Sequence, residues 1–259
     1  MAGDSGLMEA PVLNGELGKW AVLDARPKPE WLSGHIPGAM SFSWENFTRV
    51  DDKGVRYRIF TQRELALALG EMGIDEKTPV VIYGDADKSS GGEGWDFWAL
   101  SWIGHKGPLR VLAGGIQSWR GHKYPVTTDA QTGARPKAAY KIALNPQVDV
   151  STEEIAQKKS SLSLVDTRST LEWMRGSIPG ATHIEWTQFY KGDDRRPIDA
   201  AALKKLLKDN GVDANKPVVY YCKSGVRSGF AWMVHQLSGL PDAKNYEGGM
   251  EAWRKSSGK

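Results

Sequence analysis

The sequence predicts an α/β fold built twice over, two tandem copies of one domain, each a parallel sheet flanked by helices. Three observations lead there. The same sequence blocks occur twice in the same order; within each copy short β-branched runs alternate with helix-like segments; and the copies are joined by a stretch that has neither period.

The repeat is direct. VLDARPKPEWLSGHIPGA at 22–39 lies without a gap over LVDTRSTLEWMRGSIPGA at 164–181, pairing Asp24 with Asp166, Arg26 with Arg168, Trp31 with Trp173 and Pro37 with Pro179. GIDEKTPVVIYG at 73–84 matches GVDANKPVVYYC at 211–222, and GGIQSW at 114–119 matches GGMEAW at 248–253. The runs VVIY and VVYY read as buried strands. TQRELALALGEMG and DAAALKKLLKDNG read as helices, and STEEIAQKK opens the second copy with Ser151 and Glu154 at capping-box spacing. The boundaries expected are a first domain over 1–124, a linker over 125–146 rich in Thr, Ala, Gly and Pro, and a second domain over 147–259. The tryptophans that recur in both copies, Trp31, Trp119, Trp173 and Trp253, are expected in the cores.

The bulk numbers exclude more than they assign. Thirty-four basic residues against 31 acidic ones give a net charge of +3, spread along the chain without a basic block, so nucleic-acid binding has little support. No run approaches the roughly 18 apolar residues of a membrane span. MAGDSGLMEAPVLNGELGK lacks the hydrophobic centre of a secretory signal. A soluble protein is expected, in cytoplasm or periplasm alike, because a mature exported protein recloned behind a new methionine would read the same. One cysteine forbids an internal disulfide and cannot build a thiolate metal site, and the five histidines have no ligand spacing. No cofactor or metal is called for.

That cysteine, Cys222, follows the strand-like run VVYY and precedes the helix-like SGFAWMVHQL. The carboxyl end of a buried parallel strand is where open α/β sheets build their sites. Between the two lie Lys223, Ser224, Gly225, Val226 and Arg227. Gly225 can take positive φ, which lets successive backbone N–H groups turn inward as an anion-holding nest at a helix N-terminus. That field, with the charges of Lys223 and Arg227, favours a thiolate. The bland alternative is a small apolar core residue. The first copy sharpens the contrast: its strand VVIY runs into Gly84 and the loop DADKSSGGEGW, so only the second copy has a thiol. Lys88, Glu93 and Asp96 in that degenerate loop are expected to be solvated.

These blocks together resemble the tandem-domain sulfurtransferases of the rhodanese and 3-mercaptopyruvate sulfurtransferase family, over nearly the whole chain. The resemblance rests on Asp-x-Arg with a following Gly-x-Ile-Pro-Gly-Ala in both copies, the six-residue Cys-x-x-Gly-x-Arg loop, and Gly-Gly-x-x-x-Trp near each copy's end. It implies two rhodanese-like domains, the first without the catalytic cysteine. It implies further that Cys222 takes a sulfane sulfur from a small donor as a persulfide and passes it to cyanide or a thiol, with a thioredoxin-like reductant as a candidate partner.

The loop reads as a hybrid within that family. Lys223 falls where thiosulfate-using members carry a cation, Ser224 where the mercaptopyruvate class has its serine, and Arg227 resembles the loops of single-domain relatives. His35 matches a histidine that mercaptopyruvate enzymes place near the cysteine, and Arg168 and Arg175 resemble arginines that hold a carboxylate donor. Asp166 is expected to support the loop by pairing with Arg168. Thiosulfate is the favoured donor, 3-mercaptopyruvate the alternative. A sulfur carrier without turnover is a third reading. Cysteine phosphatases share the fold but use Cys-x5-Arg, whereas four residues separate Cys222 from Arg227, a tighter nest fitted to one sulfur atom rather than a phosphate.

Overall fold

The computed structural model describes residues 4–130 and 135–256. Two parallel sheets carry the chain. In the first, the strand order is Ser5–Met8, Leu109–Leu112, Val80–Tyr83, Ala21–Asp24, Ala39–Ser41; in the second it is Ala243–Tyr246, Val218–Tyr221, Ser163–Asp166, Thr182–His183. Every pairing within them is parallel. The register repeats as the sequence blocks do, Asp24 beside Tyr83 and Asp166 beside Tyr221. Where the first sheet has the strand Ser5–Met8, the second has a single bridge between Asp149 and Asn245.

The helices form where their sequences direct. Thr61 and Glu64 close a capping box on Gln62–Glu71, as do Ser151 and Glu154 on Thr152–Lys158, and Asp199 caps Ala200–Asp209. Of the linker, residues 131–134 lie outside the described residues. The part beyond them is laid along the first domain: Ala138, Ala143 and Asn145 donate N–H bonds to the carbonyls of Gly70, Ile103 and Trp102.

The helix Gly92–Ile103 of the first domain packs on Val226–Leu237 of the second. All of the first helix except Trp102 is buried, as its apolar residues Trp95, Phe97, Trp98, Ala99, Leu100 and Ile103 favour, and Glu93 and Asp96 are carried in with them. The contact is closest at two glycines: a Cβ on Gly94 would stand 2.2 Å from the Phe230 Cα, and one on Gly229 would stand 3.0 Å from the Trp95 Cα. One apolar cluster therefore runs through both copies, from Leu65, Trp95 and Trp98 to Val165, Phe230 and Trp232.

Two sequence expectations change here. Trp31 and Trp119 are buried, but Trp173 and Trp253 are half-buried. The ring of Trp173 lies on His183 from the edge strand, and that pair sits at the sheet's open margin. Glu93 and Asp96, expected in solvent, are buried on the interdomain helix, while Lys88 is exposed and paired with Glu30 at 2.8 Å. Among the described residues no helix is long and apolar enough to cross a membrane.

Candidate active site at the Cys222 loop

Cys222 follows the central strand Val218–Tyr221 directly, and its side chain is 1% exposed. Gly225 turns the chain with φ of +82° and caps the helix Val226–Leu237. No larger residue fits there, because a Cβ would meet the Glu247 Cα and carbonyl oxygen, each at 2.8 Å. The loop is fastened from the other side by the second Gly-Gly block. Met250 N–H donates to the Cys222 carbonyl and Glu251 N–H to that of Lys223, at 3.0 and 3.1 Å.

Arg227, on the first turn of the helix, is forked to a carboxylate and adds its charge to the surroundings of Cys222. Its Nη1 and Nη2 make a fork with Glu172 at 2.6 and 2.9 Å. Burial alone would lower the guanidinium's pKa. The Glu172 fork and the charge and hydrogen bond of Cys222 outweigh it, so Arg227 is held firmly charged. Glu172 is pulled down to about 2, chiefly by Arg227. The same Glu172 closes the capping box with Ser169 on the helix Thr170–Met174, so one carboxylate fixes a helix start and the loop's cation.

The other sequence-named residues divide. Ser224 and Val226 are buried in the loop. Lys223 points outward, 3.6 Å from Glu251, with its Nζ 5.3 Å from the centre of the Tyr57 ring, which the first domain supplies. Its charge is shared with an acid and an aromatic face instead of standing free beside the sulfur. Asp166 and Arg168 form a buried pair in which Arg168 Nε bonds Oδ1 at 2.9 Å; its Nη2 also donates to the Gly176 carbonyl at 2.8 Å. Asp166 thus holds Arg168 at the strand end. Arg175 is exposed at the end of the helix Thr170–Met174. His35 is fully buried in the first domain, stacked on Trp31 at 4.3 Å and bonded through Nδ1 to the Trp31 carbonyl, while its backbone bridges Thr127.

Three residues that sequence reasoning passed over complete the surroundings. Ser228 Oγ lies 3.6 Å from the Cys222 sulfur and 2.7 Å from Asn245 Oδ1. Asn245 Nδ2 donates in turn to the Gly225 carbonyl. Glu247 crosses the domain boundary: Oε1 accepts the Ile59 N–H at 2.6 Å, and Oε2 lies 2.9 Å from Arg58 Nη1, off the hydrogen-bond axis. Burial pushes Glu247 up to about 7 against the pull of Arg58. Glu172 had a signal, since it aligns with Glu30 in the ungapped repeat.

The first copy presents the opposite chemistry at the matching place. Gly91 caps the helix Gly92–Ile103 at φ +77°, as Gly225 caps its own, so Glu93 stands where Arg227 stands. A Cβ on Gly84, the cysteine's counterpart, would be 2.1 Å from Glu93 Oε2. The carboxyl group thus fills the space a nucleophile would occupy. Among the described residues no cluster of His, Cys, Asp and Glu could hold a metal ion.

A strand-end thiol in a glycine-turned loop, with a thiol-free copy of the same frame beside it, defines a tandem α/β protein with one candidate thiol site. A sequence model described as the rhodanese-like domain matches residues 10–122 and 151–256. The chain belongs to the rhodanese-like domain family, with two copies. The sulfur carrier protein TtuD of Thermus thermophilus is 31% identical over 244 residues, covering 85% of this chain and 82% of that one. The thiosulfate sulfurtransferase of Bos taurus is 27% identical over 245 residues, covering 87% and 79%. Among solved structures, the anaerobic ergothioneine biosynthesis enzyme of Chlorobium limicola with trimethyl histidine superposes with a TM-score of 0.83 at 25% identity, over 95% of this chain and 67% of that one.

Proposed function

We propose that this protein is a sulfurtransferase in which Cys222 carries the sulfur, with thiosulfate as the preferred donor. What carries the reading is the buried Cys222 sulfur directly after the strand Val218–Tyr221, in a turn that Gly225 makes into a helix whose first turn holds the charged Arg227. The thiolate attacks the outer sulfur of thiosulfate. A Cys222 S–S bond forms, the donor's S–S bond breaks, and the electron pair departs on sulfite. A thiol or cyanide then takes the outer sulfur, and the pair returns to Cys222 as the thiolate. Relatives named as thiosulfate sulfurtransferase and sulfur carrier support this class of chemistry.

The donor preference is electrostatic. Thiosulfate has no carbon skeleton to recognise, so its site needs mainly positive charge near the sulfur, and Arg227 is the loop cation that brings it, tempered by its fork with Glu172. A mercaptopyruvate site would call on Arg168 and His35, yet Arg168 is committed to Asp166 and the Gly176 carbonyl, and His35 lies in the first domain's core. Lys223 contributes less than its place in the sequence suggests, since Glu251 and Tyr57 share its charge.

Intact-mass measurement after treatment with thiosulfate should show an added sulfur of about 32 Da in the wild type and none in Cys222→Ser. Steady-state comparison of thiosulfate with 3-mercaptopyruvate, using cyanide or dithiothreitol as acceptor, should give thiosulfate the higher kcat/KM. Turnover retained by Cys222→Ser overturns the role of the cysteine; a higher kcat/KM for mercaptopyruvate overturns the donor. Loading without turnover on any acceptor would make the protein a carrier.

A further inference from the structure

We propose that Ser228 is a catalytic residue, a hydroxyl whose single hydrogen follows the charge on the Cys222 sulfur. The inference rests on the sulfur-transfer reading and adds the group that stabilises the thiolate both as nucleophile and as leaving group.

Ser228 and Asn245 are both 0% exposed, so no solvent replaces a missing partner. The Gly225 carbonyl can only accept, which fixes Nδ2 of Asn245 as the atom facing it and turns Oδ1 to Ser228. Oδ1 also only accepts. When Cys222 is a thiol, Ser228 gives its hydrogen to Asn245 and accepts the S–H. When Cys222 is a thiolate, the sulfur can only accept, and the hydroxyl 3.6 Å away is a donor able to turn to it. Arg227 approaches the same sulfur with its charge. Turning to the thiolate exchanges the neutral bond to Asn245 for a charge-assisted one to the sulfur, the stronger kind, and that exchange favours the ionised state.

The same switch serves both halves of the transfer. As the thiolate attacks, its lone pair becomes the new S–S bond and the serine hydrogen returns to Asn245. When the acceptor removes the outer sulfur, the S–S bond breaks, its electron pair comes back to Cys222, and the hydrogen turns to it again. No proton is gained or lost by Ser228 over the cycle.

The test uses the full chain and reads alkylation of its one cysteine by iodoacetamide, by intact mass. Ser228→Ala should alkylate three- to tenfold more slowly than wild type at pH 6, and within twofold of it at pH 10, above the ordinary range of thiols. Ser228→Thr should restore the rate at pH 6. Asn245→Asp, which holds the hydroxyl's hydrogen and adds negative charge, should slow it. A deficit equal at both pH values means altered access and overturns the proposal; so does no deficit at either, or an unchanged rate in Asn245→Asp. Sulfur loading of the wild type is measured separately. Absence of the mass increment with the alkylation pattern intact would remove the transfer reading and leave the role of Ser228 at the sulfur standing.

Discussion

Replacing Glu93 by glutamine should stabilise the protein at high pH and leave it unchanged at low pH. Ser89 Oγ lies 2.7 Å from the Asp85 carbonyl and 2.8 Å from Glu93 Oε2. A hydroxyl has one hydrogen; if it goes to the carbonyl, which can only accept, the serine oxygen accepts a proton from Glu93. The neutral acid fits, and burial pushes Glu93 up to about 7 from its ordinary 4.5. A carboxyl raised in the folded state contributes stability that is full below the unfolded value, declines as pH rises from there, and is lost once pH passes about 7. The displacement corresponds to about 3 kcal/mol as an upper figure. Glutamine offers an N–H in the same place and does not titrate. Thermal melts followed by circular dichroism should therefore show Glu93→Gln equal to wild type at pH 4 and higher in Tm by about 6–12 °C at pH 9. A gap that is flat in pH would refute the protonated-carboxyl reasoning. A wild type that gains over the variant as pH rises would reverse its sign.

Two further outcomes follow from the geometry. Glu172→Gln should free Arg227 from its carboxylate and lower the KM for thiosulfate by about three- to tenfold in low salt, with the gain shrinking above 0.5 M salt; an unchanged KM at low salt would mean that Arg227 does not meet the donor. The isolated fragment 147–259 should aggregate or lose cooperative melting, because Phe230 and Trp232 would lose the helix Gly92–Ile103 that covers them; a cooperative melt with full specific activity would show that the second copy stands alone.

Much of the fold was legible because the repeat is ungapped and its strands are short β-branched runs: Asp24 and Asp166 fall at equivalent registers, as the aligned blocks require. The turn at Gly225 was legible from one glycine between a strand and a helix. What was not legible depends on partners distant in sequence. Glu93 and Asp96 read as solvated because charges in a glycine-rich loop usually are; the pairing of two helices from different domains buries them. Lys223 read as a charge beside the sulfur from adjacency alone, but adjacent side chains leave a turn in different directions, and Glu251 and Tyr57 claim this one. Ser228 and Asn245 had no motif to announce them. Their relation appears only when the helix Val226–Leu237 and the strand Ala243–Tyr246 meet over the cysteine.

The two copies show how little separates a strand-end thiol from a sealed counterpart. Each has a strand ending at a buried Asp–Arg pair, a positive-φ glycine opening a helix, and a Gly-Gly turn nearby. They differ in sign two residues after the capping glycine. Arg227 brings positive charge to the strand end that holds Cys222, whereas Glu93 enters the space over Gly84 and is pushed toward its neutral form by burial. Restoring a cysteine at Gly84 would therefore not restore a site, because its side chain would collide with Glu93, and a thiolate there would face acid instead of guanidinium. The surviving value of the first copy is mechanical: its helix Gly92–Ile103 packs on the helix that Gly225 opens, and its Ile59 and Arg58 hold Glu247, whose backbone closes over Gly225. The cysteine-free domain thus holds the Cys222 loop from two sides.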